Sequence, residues 1–134
     1  CATNAVRAGA LFVAINRDPV LPVKGGLIPG CGAMVAAIEA ASGISPEVVG
    51  KPQPMLLQEA MRLLDSQPGE TVMIGDTLSV DILAGKNAGT HTLLVLSGSS
   101  SRADLASSQV QPDHVYDDIA AVVKDLKDDR KGLT

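Results

Sequence analysis

The sequence predicts an α/β protein built on a partial Rossmann-like parallel sheet, and two observations carry that prediction. Short apolar runs suited to buried strands, at residues 10–15, 48–49, 71–74, 92–96 and 114–116, alternate with amphipathic stretches of helical period. Strands joined through helices pair in parallel, because the crossover returns the chain to the same end of the sheet. In addition, the run Gly75-Asp76-Thr77-Leu78-Ser79-Val80-Asp81 follows an apolar strand and delivers two carboxylates five residues apart into a turn that opens a helix.

Each element has its own signal. Residues 10–15 are continuously apolar and end at the turn cluster Asn16-Arg17-Asp18-Pro19, after which a Gly- and Pro-rich loop runs to Gly32. A helix over 33–42 places Met34, Ile38 and Ala41 on one face, with Gly43 set to cap it. Pro52 fits the first turn of a helix in which Leu56, Ala60 and Leu63 form one row and Leu57, Met61 and Leu64 an adjacent one. Such a helix is expected to lie on the sheet, and Gln67-Pro68-Gly69 ends it. The strand 71–74 leads to a helix over 79–88 closed by Gly89, then to the strand 92–96. A Ser-rich loop, Ser97 to Ser101, precedes a short helix at 102–106. The last strand, 114–116, feeds a helix over 117–126 striped by Ile119, Val122, Val123 and Leu126, and a charged tail at 127–134 is expected to fray.

Composition narrows the function classes. At 134 residues a single domain buries roughly two thirds of its unfolded surface, enough for a core. Phe12 and Tyr116 are the only aromatics, so packing relies on aliphatic side chains. No stretch approaches the roughly 20 apolar residues of a membrane span. A net charge of −4 without a basic stripe argues against a nucleic-acid partner, whose backbone is held by clustered Lys and Arg. Cys1 and Cys31 form neither a Cys-x-x-Cys pair nor a His-Cys set, which favours a reducing, cytoplasmic setting. The chain opens on Cys rather than Met, without a signal-peptide pattern, and is expected to continue upstream.

Phosphate chemistry is the functional expectation. In a parallel sheet, ligands sit outside the carboxyl ends of the strands, where Asp76 and Lys51 both fall in this reading. Magnesium takes carboxylate oxygens and keeps several waters, so one direct aspartate and a second acting through water suit it. Lysine adds a compact positive charge for a phosphoryl oxygen. Plainer readings stand beside these. A Gly-Asp after a strand also makes an ordinary capped turn, Asp81 also reads as a solvated helix residue, and Asn16-Arg17-Asp18-Pro19 is ordinary turn chemistry as well as a substrate contact. Gly30-Cys31-Gly32 is a poor dinucleotide loop, with Val35 at the third glycine position and no strand before it. His91 and His114 sit in no motif.

Taken in order, Leu11-Phe12-Val13-Ala14-Ile15-Asn16-Arg17-Asp18, Gly26-Leu27-Ile28-Pro29-Gly30-Cys31-Gly32-Ala33, Val49-Gly50-Lys51-Pro52, the 75–81 motif, Ile82-Leu83-Ala84-Gly85 and Leu94-Val95-Leu96-Ser97-Gly98 resemble the back half of haloacid dehalogenase (HAD) superfamily phosphatases. The likeness is to the phosphoglycolate and para-nitrophenyl phosphatase group, with a large α/β cap. It implies that residues 1–46 end the cap and 47–134 form the second half of the catalytic core. It implies further that Lys51 steadies the phosphoryl group and the nucleophile, and that Asp76 binds Mg2+ directly while Asp81 orders the metal's surroundings. Asn16 and Asp18 match the cap's asparagine and aspartate near the substrate, while Ile15 replaces the family's usual threonine.

The resemblance thus implies a magnesium-dependent phosphoric monoester hydrolase acting on a small phosphorylated metabolite through an aspartyl-phosphate, with a homodimer through the cap open to it. The family's Asp-x-Asp nucleophile motif is absent from these 134 residues, as is the Ser or Thr motif of the first half. The chain alone is therefore expected to be inactive and to depend on a missing N-terminal half, whose nucleophile strand would lie beside residues 71–74 and whose loss leaves a bare strand edge. A non-catalytic phosphate- or metal-binding domain and a structural partner chain remain alternatives.

Overall fold

A computed structural model describes residues 1–131. Helix α1 (Ala2–Arg7) leads to a short strand β1 (Val13–Ala14), a hairpin of β2 (Val20–Val23) and β3 (Gly26–Pro29), and helix α2 (Cys31–Ser42). Strand β4 (Glu47–Val48) and helix α3 (Met55–Leu64) follow. The remainder is β5 (Val72–Gly75), a wide turn at Leu78–Ile82, α4 (Leu83–Ala88), β6 (His91–Val95), α5 (Arg102–Ser107), β7 (His114–Tyr116) and α6 (Ile119–Lys131).

The α/β class holds, with a three-stranded parallel sheet in the order β5-β6-β7. β6 is central and buried from Thr92 to Leu94, whereas β5 bonds only β6 among the described strands and leaves Val72 and Ile74 exposed. β4 joins a separate parallel pair with β1, so the strand before Lys51 is not hydrogen-bonded to the strand before Asp76. The expected strand at 10–15 shrinks to Val13–Ala14, with Leu11 and Ile15 exposed.

Within the Gly- and Pro-rich loop the structure forms a hairpin, closed by Lys24–Gly25 with Gly25 at φ 96°. Pairs alternate between bonded and open positions in an antiparallel ladder. Pro22↔Leu27 and Val20↔Pro29 lie two steps apart and the flanking Gly30 N–H donates to Pro19 O at 2.9 Å, so both prolines occupy open positions where no N–H is needed. Prolines ordinarily argue against a strand, which is why the pattern is hard to read.

Three helical faces differ from expectation. α2 turns Gly32 and Val35 inward and leaves Met34 exposed, and Gly43 closes it at φ 74°. α3 starts at Met55 rather than at Pro52, because Pro54 disfavours a helical Gln53 before it. Its main neighbour is α4 rather than the expected sheet; it buries Met61 and leaves Leu56, Leu63 and Leu64 exposed. α6 buries Val122 alone of its predicted stripe, and it continues through residues 127–131, where fraying was expected; residues 132–134 of that tail lie outside the described residues.

The core that supports the sheet's upper end is formed by Leu78, Ile82 and Leu94, with Leu96, Leu105 and Val110 against them. Gly85 brings α4 onto the strands, since a Cβ there would press on Thr92 Cγ2 and on Met73 Cβ at 2.9 Å. At the opposite end Asp113 ties β6 down. Its Oδ2 accepts from Thr92 N at 2.7 Å and Thr92 Oγ1 at 2.8 Å, and its Oδ1 pairs with Lys86 of α4 at 2.5 Å.

The Lys86 ammonium, followed by the Thr92 donors, holds the Asp113 carboxyl well below the ordinary carboxylate range. A lowered folded-state value means the contribution is present above the unfolded value, near about pH 4, and is lost as pH falls through the folded one. Asp113→Asn should therefore lower the melting temperature at pH 7, with the gap from wild type closing as melts are taken to progressively more acid pH. A gap independent of pH would contradict the charge-based account.

Candidate functional site

The site is assembled where β5 ends. Strand β5 carries the chain to Gly75, and the residues that follow fold back so that the Asp81 carboxylate meets the amides of Asp76 and Thr77. Asp81 N–H donates to Thr77 O at 2.8 Å and Ile82 N–H reaches the same oxygen at 3.3 Å, which opens the helix with a turn wider than the α form. That wide turn aims the Asp81 carboxylate back at its own loop. Gly75 permits this, because a Cβ there would overlap the Asp81 side chain.

Asp81 is 5 % exposed and fully engaged. Its Oδ2 accepts from Asp76 N at 3.2 Å and Thr77 N at 3.1 Å, while its Oδ1 lies 2.5 Å from Lys51 Nζ. Lys51 arrives from the loop after β4, half-exposed, and the ion pair is the direct link between that loop and the β5 turn. A carboxylate this buried is tolerable because three donors meet it.

Asp76 is half-buried one residue beyond β5, and its Oδ2 accepts from Ser99 N at 2.7 Å. Hydrogen bonding from Ser99, through its amide first, keeps the Asp76 carboxyl below its ordinary range, so it stays an oxyanion with lone pairs to share. Asp76 and Asp81 supply hard oxygen donors of the kind magnesium takes, completed in its usual sites by water. Among the described residues no group of three or more His, Cys, Asp or Glu side chains gathers to hold a metal. The pair therefore fits as part of an oxygen-donor site, with Asp81 already committed to Lys51 and the two amides.

Asn16, Asp18 and Lys51 line one cleft of about 290 Å3 with Ile15, Gly50, Leu56 and Val80. Buried Gly50 allows the close approach, since a Cβ there would overlap the Ile15 carbonyl. Asn16 Oδ1 accepts from Asp18 N at 3.2 Å, a local turn bond that shapes the loop. Arg17 points elsewhere: it grips Glu39 of α2 through two bonds of 2.9 and 3.2 Å and anchors the loop to that helix. Sequence reasoning missed Ser99 and Ser100, because their loop lies after the 75–81 run in the chain; the usable signal was that β5 and β6 are parallel neighbours, which brings both loops to one edge.

The family model for HAD-hydrolase-like proteins matches residues 48–122, more than half of the chain. The chain belongs to that family. It is 37% identical over 115 residues to the 5'-nucleotidase YutF of Bacillus subtilis, covering 86% of this chain and 45% of that protein. It is 34% identical over 126 residues to an acid sugar phosphatase of Staphylococcus epidermidis, covering 94% of this chain and 49% of the relative. Among solved structures, the glycerol phosphate phosphatase of Mycobacterium tuberculosis in complex with magnesium superposes at a TM-score of 0.80 and 41% identity, over 90% of this chain and 36% of that one. The HAD-family chain thus spans just under half the length of the curated relatives it matches.

Replacing Asp81 removes the acceptor of two amides and the partner of Lys51 together. Asp81→Ala is expected to cost about 1–3 kcal/mol of unfolding free energy, the range for stranded buried donors, read from urea titrations. An unchanged midpoint would show that the turn does not depend on this carboxylate.

Proposed function

We propose that this chain carries the lysine- and metal-bearing half of a magnesium-dependent phosphatase of the HAD family, a phosphoric monoester hydrolase for small phosphorylated metabolites. In this reading residues 1–46 belong to the cap and 47–134 to the catalytic core, and the attacking aspartate comes from a strand outside these 134 residues, beside β5. The observation that carries the reading is the Lys51–Asp81 ion pair at 2.5 Å, with the Asp81 carboxylate at the same time holding the amides of Asp76 and Thr77. One carboxylate thereby joins the phosphate-facing cation to the metal-facing turn. The exposed Val72 and Ile74 of edge strand β5 further support a strand pairing there. Phosphatase names among the similar proteins, and magnesium in one of their structures, support the reaction class and the cofactor.

The chain's residues then have distinct tasks. Lys51, oriented by Asp81, offers its remaining N–H donors to a phosphoryl oxygen and to the attacking carboxylate, lowering their mutual repulsion. Asp76, kept ionised, is the direct ligand of Mg2+. The bound cation would supply positive charge against the phosphoryl oxygens as negative charge accumulates. Asn16 and Asp18, which line the same cleft as Lys51, present an amide and a carboxylate to the polar part of the ester. The carboxylate of the external aspartate bonds to phosphorus as the ester P–O bond breaks, a second aspartate protonates the departing oxygen, and water then cleaves the aspartyl-phosphate. Having no Asp-x-Asp of its own, the 134-residue chain should release no phosphate alone.

The test is phosphate release from para-nitrophenyl phosphate by the complete protein in the presence of magnesium. Lys51→Ala and Asp76→Asn should each lower the rate by about 10²-fold or more, the usual cost of removing one charge-stabilising group. A wild-type rate in Asp76→Asn would overturn the assignment.

A further inference from the structure

An aspartate in the turn between a strand and a helix ordinarily caps the helix, spending its carboxylate on the first free amides. Asp76 does not. The amides of Asp76 and Thr77 are served by Asp81 Oδ2, and the amide of Leu78 donates instead to Ser100 Oγ at 3.0 Å. Other groups thus fill the capping role across the turn, and the Asp76 carboxylate is released from it.

What orients that carboxylate lies in the loop after β6. Ser99 N donates to Asp76 Oδ2 at 2.7 Å, and Ser100 N donates to the Asp76 carbonyl at 2.9 Å. The hydroxyl of Ser100, a residue only 8 % exposed, holds the next stretch of the turn through Leu78. Gly98 lies against the aspartate so closely that a Cβ there would overlap Asp76 Cβ and Oδ2 and come within 2.5 Å of Cγ. Backbone and side chain of one residue are therefore fixed from a single three-residue segment of the neighbouring strand's loop. The parallel register Gly75↔Leu94 is what raises that segment alongside Asp76.

We propose that the 98–100 turn positions Asp76 for its cation: Ser99 and Ser100 are positioning residues that set the direction in which the carboxylate presents its unshared lone pairs, and Gly98 provides the space in which it can lie. The inference rests on Asp76 being the magnesium ligand. Partners that orient a ligand from behind typically change metal affinity about 10–100-fold when removed. Ser99 acts first through its amide and then through its side chain, so its contribution follows chiefly the path of the loop.

Titration of magnesium chloride into the complete protein by calorimetry, with melting curves taken in parallel without metal, tests the assignment. Gly98→Ala should raise the magnesium Kd about tenfold or more by pushing the carboxylate aside. Ser100→Ala should raise it by a smaller factor by loosening the turn at Leu78. Magnesium Kd values equal to wild type in both variants, even with lowered melting temperatures, would overturn the positioning role. Should Gly98→Ala fail to fold, Ser100→Ala decides alone. Asp76→Asn separates the two levels: if it binds magnesium as wild type does, the ligand assignment itself falls, whereas loss of binding there with unchanged Gly98→Ala and Ser100→Ala rejects only the positioning turn.

Discussion

The Asp81 carboxylate is the contact on which the arrangement at this sheet edge depends. It is nearly sealed from solvent, and a charge in that position survives only with several donors pointed at it. Lys51 provides one, and the amides of Asp76 and Thr77 provide two more. The same bonds therefore fix three things at once: the position of an ammonium, the path of the β5 turn and the start of α4. None of the three is set by a regular ladder, since β4 and β5 are not paired.

Glycine does in this site what larger residues would prevent. Gly75 leaves room for Asp81, Gly98 for Asp76 and Gly50 for the Ile15 carbonyl, so three loops from separate parts of the chain approach at backbone distance. Serine amides and hydroxyls then take up the polar groups that such crowding exposes. The parallel β5-β6 pair underlies this, because parallel strands release their following loops at one edge.

Much of this was legible in the chain. The Gly75 to Asp81 run marks both the carboxylates and their placement after a strand, and Lys51 after a short apolar run marks the cation. Apolar runs marked β5, β6 and β7, of which only β6 is buried along most of its length, and the helix expected at 79–88 opens with the wide turn at Leu78–Ile82 before α4. The pattern was least informative toward the front. There the β2-β3 hairpin hides behind prolines placed at open pairs, the inward faces of α2 and α3 depend on which neighbour they meet, and Leu63 and Leu64 stand largely exposed.

Residue order alone determined the α/β class, the strand-to-turn position of Asp76, the spacing that lets Asp81 return to it, and the absence of an Asp-x-Asp element from these residues. Those are local properties, written in neighbours a few positions apart. Only the tertiary structure decided that Lys51 pairs with Asp81, that Arg17 turns away to Glu39, and that the Ser99 amide takes the Asp76 carboxylate. Such partners lie some twenty to thirty residues apart in the chain, and their meeting depends on strand register and close backbone approach, which no local pattern encodes.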